Sequence, residues 1–206
     1  RKQAAEGAKI IFVGTKKQAV DPIQEAAKKI DQYYVTKRWL GGTLTNFSTI
    51  KASIDRLRKI DIMKEKGEFN FFNKKERSMM EKDYAKLNEY LEGIREMKEV
   101  PTLMFVIDLK KEHIAVLEAK RLGIPVIAIA DTNTDPEIID FPIPGNDDAI
   151  RSITLFTNLI ADAFAEPVGT RFGKHPYRVY SFHRNKISYR SLEGSLAVFV
   201  SSYLIY

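Results

Sequence analysis

Three short, almost unbroken apolar runs constrain this chain more than any other feature. Ala8-Lys9-Ile10-Ile11-Phe12-Val13, Pro101-Thr102-Leu103-Met104-Phe105-Val106-Ile107-Asp108 and Ile124-Pro125-Val126-Ile127-Ala128-Ile129-Ala130-Asp131 are apolar over most of their length. A strand with one wet face alternates apolar and polar side chains. A run that is apolar throughout fits a strand buried on both faces, as in a parallel sheet covered by helices. Helical stretches separate the runs. Residues 16–30 place Ala19, Ile23, Ala26, Ala27 and Ile30 on one face, and residues 112–122 form a helix that Gly123 can end. Tyr33-Tyr34-Val35 reads as a further short strand. Phe141-Pro142-Ile143-Pro144 reads as a fifth, and its prolines suit it to a sheet edge. A last helix is expected over 147–165 with acidic residues in its first turn, and residues 1–6 read as a helix end closed by Gly7. Strands alternating with helices predict an α/β fold, a three-layer α/β/α arrangement around a parallel sheet of about five strands.

The alternation is interrupted once. Phe47, Ile50, Ile54, Leu57 and Ile60 recur at three- and four-residue spacing, and Met80, Tyr84, Leu87 and Leu91 do so again. Gly67 and the segment 69–73 separate the two seams. Two narrow seams with charged flanks predict an inserted antiparallel coiled-coil hairpin, roughly 25–30 Å long at 1.5 Å per residue. The expected organisation is therefore an α/β/α domain from 1–44 and 93–166, a hairpin at 45–92, and a tail at 167–206.

Charge is unevenly spread. Residues 1–66 carry 15 Lys/Arg against 7 Asp/Glu, residues 67–170 carry 12 against 19, and residues 171–206 carry 6 against 1. A basic region next to an acidic one suits a molecule that meets nucleic acid on one side and a basic protein on the other. The chain has no cysteine, which excludes disulfides and thiolate metal sites. No apolar run reaches the roughly 18–20 residues that span a bilayer. The first residue is Arg1 rather than Met, so the natural start is expected further upstream. The tail changes composition abruptly and ends in the apolar run LAVFVSSYLIY. It can be a basic RNA-binding extension, a strand added to the sheet edge, or a stretch never selected for this fold, such as the product of a shifted reading frame. It shows neither helical nor period-two patterning, which favours the last and predicts that 171–206 adds nothing to the core.

Two segments carry chemistry. Val13-Gly14-Thr15-Lys16-Lys17 is a strand, a turn and a basic helix start, a general phosphate-binding arrangement. It lacks the spaced glycines of a Walker loop or a dinucleotide fingerprint. Lys37-Arg38-Trp39-Leu40-Gly41-Gly42-Thr43-Leu44-Thr45-Asn46 joins two cations, the single Trp, a glycine pair and residues that can cap the next helix. Trp39 can stack on a base, or it can plug the core with Leu40 while the glycines make a tight turn. Lys16, Lys17, Lys37 and Arg38 are the expected phosphate contacts, Trp39 the stacking residue, and Asn46 a hydrogen-bonding contact to sugar or phosphate. Asp108 and Asp131 end strands, and Asp135, Asp147 and Asp148 add carboxylates, but no spacing motif makes them an acid/base pair or a metal site. His113 has no partner histidine nearby in sequence, and no nucleophilic triad is apparent.

These runs, taken in order, resemble the bacterial ribosomal protein S2 family. The resemblance lies in residues 11–18 (IFVGTKKQ), Tyr33-Tyr34-Val35, 38–46 (RWLGGTLTN), Gly93-Ile94, 101–125, the run DTNTDP from Asp131, and IPGNDDAIR from Ile143. It implies a flavodoxin-like domain with a protruding coiled-coil hairpin. It implies a structural constituent of the small ribosomal subunit at the head–body junction, cytoplasmic on the ribosome. The implied partners are small-subunit rRNA, ribosomal protein S-one near the mRNA path, and other small-subunit proteins. It implies no enzyme, cofactor, metal, membrane partner or small-molecule substrate. The family begins a few tens of residues earlier, and the resemblance ends near Pro167. The competing expectation is a nucleotide- or sugar-phosphate-binding α/β enzyme using the Gly14–Lys17 turn and Asp131.

Overall fold

The computed structural model describes residues 8–172, 176–181 and 186–191. Its centre is a five-stranded, all-parallel sheet in the order β2-β1-β3-β4-β5. The strands are β1 (Ile10–Val13), β2 (Tyr33–Val35), β3 (Leu103–Val106), β4 (Val126–Ala130) and β5 (Phe141–Pro144). β1, β2 and β3 are buried along their whole length, as unbroken apolar runs require. β5 forms the edge, with Pro142 and Pro144 opposite Ala128 and Ala130 of β4. Proline lacks the N–H that a further neighbour would need, so its place at the edge follows.

Alternate residues of each strand feed two separate cores. Ile10, Phe12, Leu103 and Phe105 point to one face, where α1 (Lys17–Lys29) contributes Ala19, Ile23 and Ala27 and α5 (Ile150–Phe172) contributes Ile153 and Phe164. Phe12 and Phe105 meet edge-to-face with ring centroids 5.6 Å apart. Ile11, Val13, Met104 and Val106 point to the other face, covered by Ala115, Val116 and Ala119 of α4 (His113–Arg121). The architecture is thus the expected three layers.

α2 (Phe47–Glu65) and α3 (Lys74–Leu91) form the interruption. Gly67, at φ 70°, turns the chain into a short 3-10 segment (Glu68–Phe71), and Asn73 with Glu76 makes a capping box for α3. The helices run antiparallel, with Arg56 pairing to Asp83 at 2.6 Å. Ile50, Ile54, Leu57 and Ile60 are buried as the seam predicts, whereas on α3 only Leu91 is fully buried. Ile50, Ile54 and Leu91 join the sheet-face core together with Ile94 and Met97. Arg58 donates to the Arg95 carbonyl at 2.7 Å, and Arg95 pairs with Asp61 at 3.2 Å. The lower part of the hairpin is therefore tied to the segment that returns to the sheet.

The final helix differs from expectation at both ends. It starts at Ile150 rather than Asp147, with no acidic residue in its first turn. Asn146 accepts hydrogen bonds from the backbone N–H groups of Asp148 and Ala149, at 2.7 and 2.8 Å, and Asp147 turns inward. The helix also continues to Phe172, past the expected end. The tail, expected to show no regular pattern, contains an antiparallel pair, β6 (Pro176–Ser181) and β7 (Lys186–Ser191), in a sheet of its own. The helix end expected over 1–6 and the apolar run that closes the tail lie outside the described residues. No described helix is long and apolar enough to cross a membrane.

Candidate nucleic-acid interface

The parallel sheet brings the C-terminal ends of β1, β2, β3 and β4 to one edge, where an α/β fold builds its sites. The turn after β1 reaches this edge. There the Thr15 backbone N–H donates to Glu112 at 2.9 Å, and the Thr15 hydroxyl donates to the same oxygen. Glu112 is buried. Lys16 donates to Asp147 at 3.1 Å, lies 3.3 Å from Asp108, and pairs more closely still with Asp148. Lys111 donates to the Thr15 carbonyl at 2.9 Å.

This network corrects one expectation. A phosphate at the Gly14–Lys17 turn needs free N–H groups and an unpaired cation. Here the Thr15 N–H faces a carboxylate, and three aspartates surround Lys16. Burial alone lowers the Lys16 pKa, but Asp148, Asp147 and Asp108 outweigh it and hold the ammonium well above its ordinary value. Asp147 is driven the other way: burial raises its carboxyl, and the Lys16 hydrogen bond only partly offsets this. Lys16 is therefore an internal tie between the connections that follow β1, β3 and β5, not a hand held out to RNA. Of the strand-end aspartates, Asp108 belongs to the same tie, and Asp131 accepts from the Thr132 N–H at 2.6 Å and the Asp147 N–H at 3.5 Å. Among the described residues no His, Cys, Asp and Glu group is placed to hold a metal ion.

The loop after β2 is built around one buried side chain, Glu118 of α4. Its Oε1 accepts from the Trp39 indole N–H at 3.0 Å and the Gly42 N–H at 2.7 Å. Its Oε2 accepts from the Leu44 N–H at 3.0 Å, the Thr45 N–H at 3.1 Å and the Thr45 hydroxyl at 3.2 Å. Burial alone raises this carboxyl, but the N–H groups of Leu44, Trp39, Gly42 and Thr45 together hold it below the usual value. Gly42 adopts φ 89°, which lets successive N–H groups turn toward one acceptor. Thr43 donates its hydroxyl to the Leu40 carbonyl and closes the turn.

Trp39 is 7% exposed, inside the sheet-face core, with its N–H committed to Glu118. Its ring offers no open face for a base, so the core-plug alternative describes it and the stacking expectation does not. Lys17, Lys37, Arg38 and Asn46 are exposed. The three cations enter no salt bridge among the described residues. Asn46 precedes α2 and accepts from the hydroxyls of Ser48 and Thr49 at 3.3 and 3.0 Å. Gly14 N–H donates to the Val35 carbonyl at 3.0 Å, so the turn leading to Lys17 and the strand leading to Lys37 and Arg38 leave the sheet side by side. Sequence reasoning missed Glu112 and Glu118 as organisers. The available signal was a carboxylate at 118 on the stripe of α4 that also carries Ala115 and Ala119, where an apolar residue belongs unless it is hydrogen-bonded.

Comparison with known proteins gives a consistent result. The family model described as Ribosomal protein S2 matches residues 1–167. Three relatives are each named small ribosomal subunit protein uS2. That of Bdellovibrio bacteriovorus is 73% identical over 163 residues, covering 79% of this chain and 52% of the relative. That of Treponema pallidum is 54% identical over 166 residues, covering 81% and 57%. That of Oleidesulfovibrio alaskensis is 54% identical over 162 residues, covering 79% and 62%. The chain thus spans about half to three-fifths of the length of the curated relatives it matches.

Proposed function

The chain belongs to the ribosomal protein S2 family, and on that premise we propose that it serves as a structural constituent of the small ribosomal subunit, in the cytoplasm, and not as an enzyme. The observation that carries this reading is the family match over residues 1–167, which takes in all five strands of the parallel sheet and most of α5. The small-subunit rRNA is the partner, met at the sheet edge where Lys17, Lys37 and Arg38 stand exposed, with Asn46 beside the start of α2. Exposed Lys and Arg neutralise phosphates, and a polar side chain adds register without reading sequence. Recruitment of ribosomal protein S-one is a further role that the family resemblance suggests, and co-sedimentation of that protein with subunits carrying or lacking this chain tests it. The competing nucleotide-binding reading loses support because Glu112 occupies the turn where a phosphate needs donors.

The RNA contact is tested by filter binding to small-subunit rRNA across a salt series. Each phosphate neutralised contributes roughly 0.7–0.9 to the slope of log affinity against log salt. Replacing Lys17, Lys37 and Arg38 together with Ala is expected to lower the slope by about two to three. An unchanged slope removes these residues from the interface.

A further inference from the structure

The seven described glycines outside α5 divide unevenly. Gly42, Gly67 and Gly123 have left-handed φ, and a Cβ on Gly14, Gly93 or Gly145 meets a neighbour inside 3.0 Å. At these six positions the backbone conformation or the packing gives a reason for glycine. Gly41 is the exception: its φ lies outside the left-handed region and a Cβ built on it meets nothing within 4 Å. Gly41 is also exposed, and its N–H donates to no group among the described residues. It sits in a loop that is otherwise held from within. Trp39 and Leu44 are buried, Gly42, Leu44 and Thr45 donate to Glu118, and the exposed cations Lys37 and Arg38 lie just before it in the chain.

Gly41 thus presents a bare, donor-bearing stretch of backbone on a rigid support. Glycine is used where a backbone comes close to a ligand, and the fold itself supplies no other reason for Gly41. The chemistry suits a sugar-phosphate backbone: a backbone N–H is a common phosphate donor, and flanking cations supply the long-range attraction. Resting on the rRNA-binding reading above, we infer that Gly41 is the point of closest approach of an RNA backbone. Its N–H donates to a phosphate oxygen, and its missing side chain leaves room for the strand. Glu118 acts as the positioning residue that holds the loop in shape.

The test uses the full chain with Gly41→Leu and Gly41→Ala, measuring thermal midpoint and affinity for small-subunit rRNA. Both midpoints are expected to stay at the wild-type value. The Leu variant is expected to bind about tenfold more weakly or worse, the scale of one displaced charge-assisted hydrogen bond, with Ala intermediate. A second readout needs no substitution: the Gly41 amide of the wild-type chain exchanges fast alone and is expected to slow when rRNA is added. If the wild-type chain binds rRNA but Gly41→Leu binds equally well and the amide stays fast, the inference is overturned while the RNA-binding reading stands. If the wild-type chain does not bind rRNA, both fall.

Discussion

Glu118 is the side chain whose removal tells most about this molecule. Its carboxylate collects five donors, two on Oε1 and three on Oε2. In Glu118→Ala all five lose their acceptor. Those on exposed Thr45 and half-exposed Gly42 can turn to water, but the Trp39 indole N–H and the Leu44 N–H are buried. A buried donor left unpaired costs about 1–3 kcal/mol, so the two together cost about 2–6 kcal/mol, before any cavity. Glu118→Gln separates the contributions. The amide keeps one oxygen and sets an NH2 group against the other set of donors. Whichever way it points, one buried donor is stranded, so the loss is expected at about half that of Ala. Equilibrium urea unfolding of the three proteins gives the free energies, and amide exchange at Gly42, Leu44 and Thr45 localises the effect. A loss below about 1 kcal/mol for Glu118→Ala would refute the argument, because the buried donors would then have found other partners.

Lys16→Ala leaves Asp147, only 1% exposed, facing Asp108 without a counter-charge, and is expected to cost about 3–5 kcal/mol. Adding Asp147→Asn should recover part of that loss in thermal unfolding, and a double variant no better than the single would show that the charge cluster is not its source. The depressed Glu118 carboxyl predicts acid sensitivity. A carboxyl whose folded pKa lies below its unfolded value contributes stability that is complete above about pH 4.3 and is lost as pH falls through the depressed folded value. Stability measured across that range should therefore decline more gently in Glu118→Gln, and an identical pH profile would exclude this residue as a cause. Leu57 is fully buried in α2 but lies outside both sheet-face cores. Leu57→Asp is expected to strip amide protection from α2 and α3 while β3 and β4 keep theirs, and simultaneous loss in all four would show that hairpin and sheet unfold together.

Much of the architecture was legible because it depends on quantities that run along the chain. The runs at 10–13 and 103–106 are apolar at every position, and a strand can bury every position only between two layers, so three layers followed. Pro142 and Pro144 placed β5 at the edge through a missing N–H, which is a property of the residue itself. The spacing of Ile50, Ile54, Leu57 and Ile60 fixed which face of α2 is buried. The end of α5 and the β6–β7 pair were less legible, since apolar periodicity is weak there and the pairing of β-strands is a matter of register and turn geometry.

The site behaved differently, because its residue types are ambiguous until their neighbours are known. A lysine after a strand reads the same whether it meets a phosphate or a carboxylate, and the carboxylate that Lys16 finds in Asp147 is 131 residues away in sequence. Trp39 and Glu118, 79 residues apart, are each ambiguous alone, an aromatic in a basic loop and an acid on an apolar stripe. Only their meeting makes Trp39 a core residue and Glu118 the anchor of the loop. Coulomb attraction and hydrogen bonding act over a few ångströms through space, and separation along the chain does not report that distance. Sequence determined which layers form and which faces they bury. The tertiary structure decided which cations are consumed inside the protein and which, with Gly41, are left facing outward.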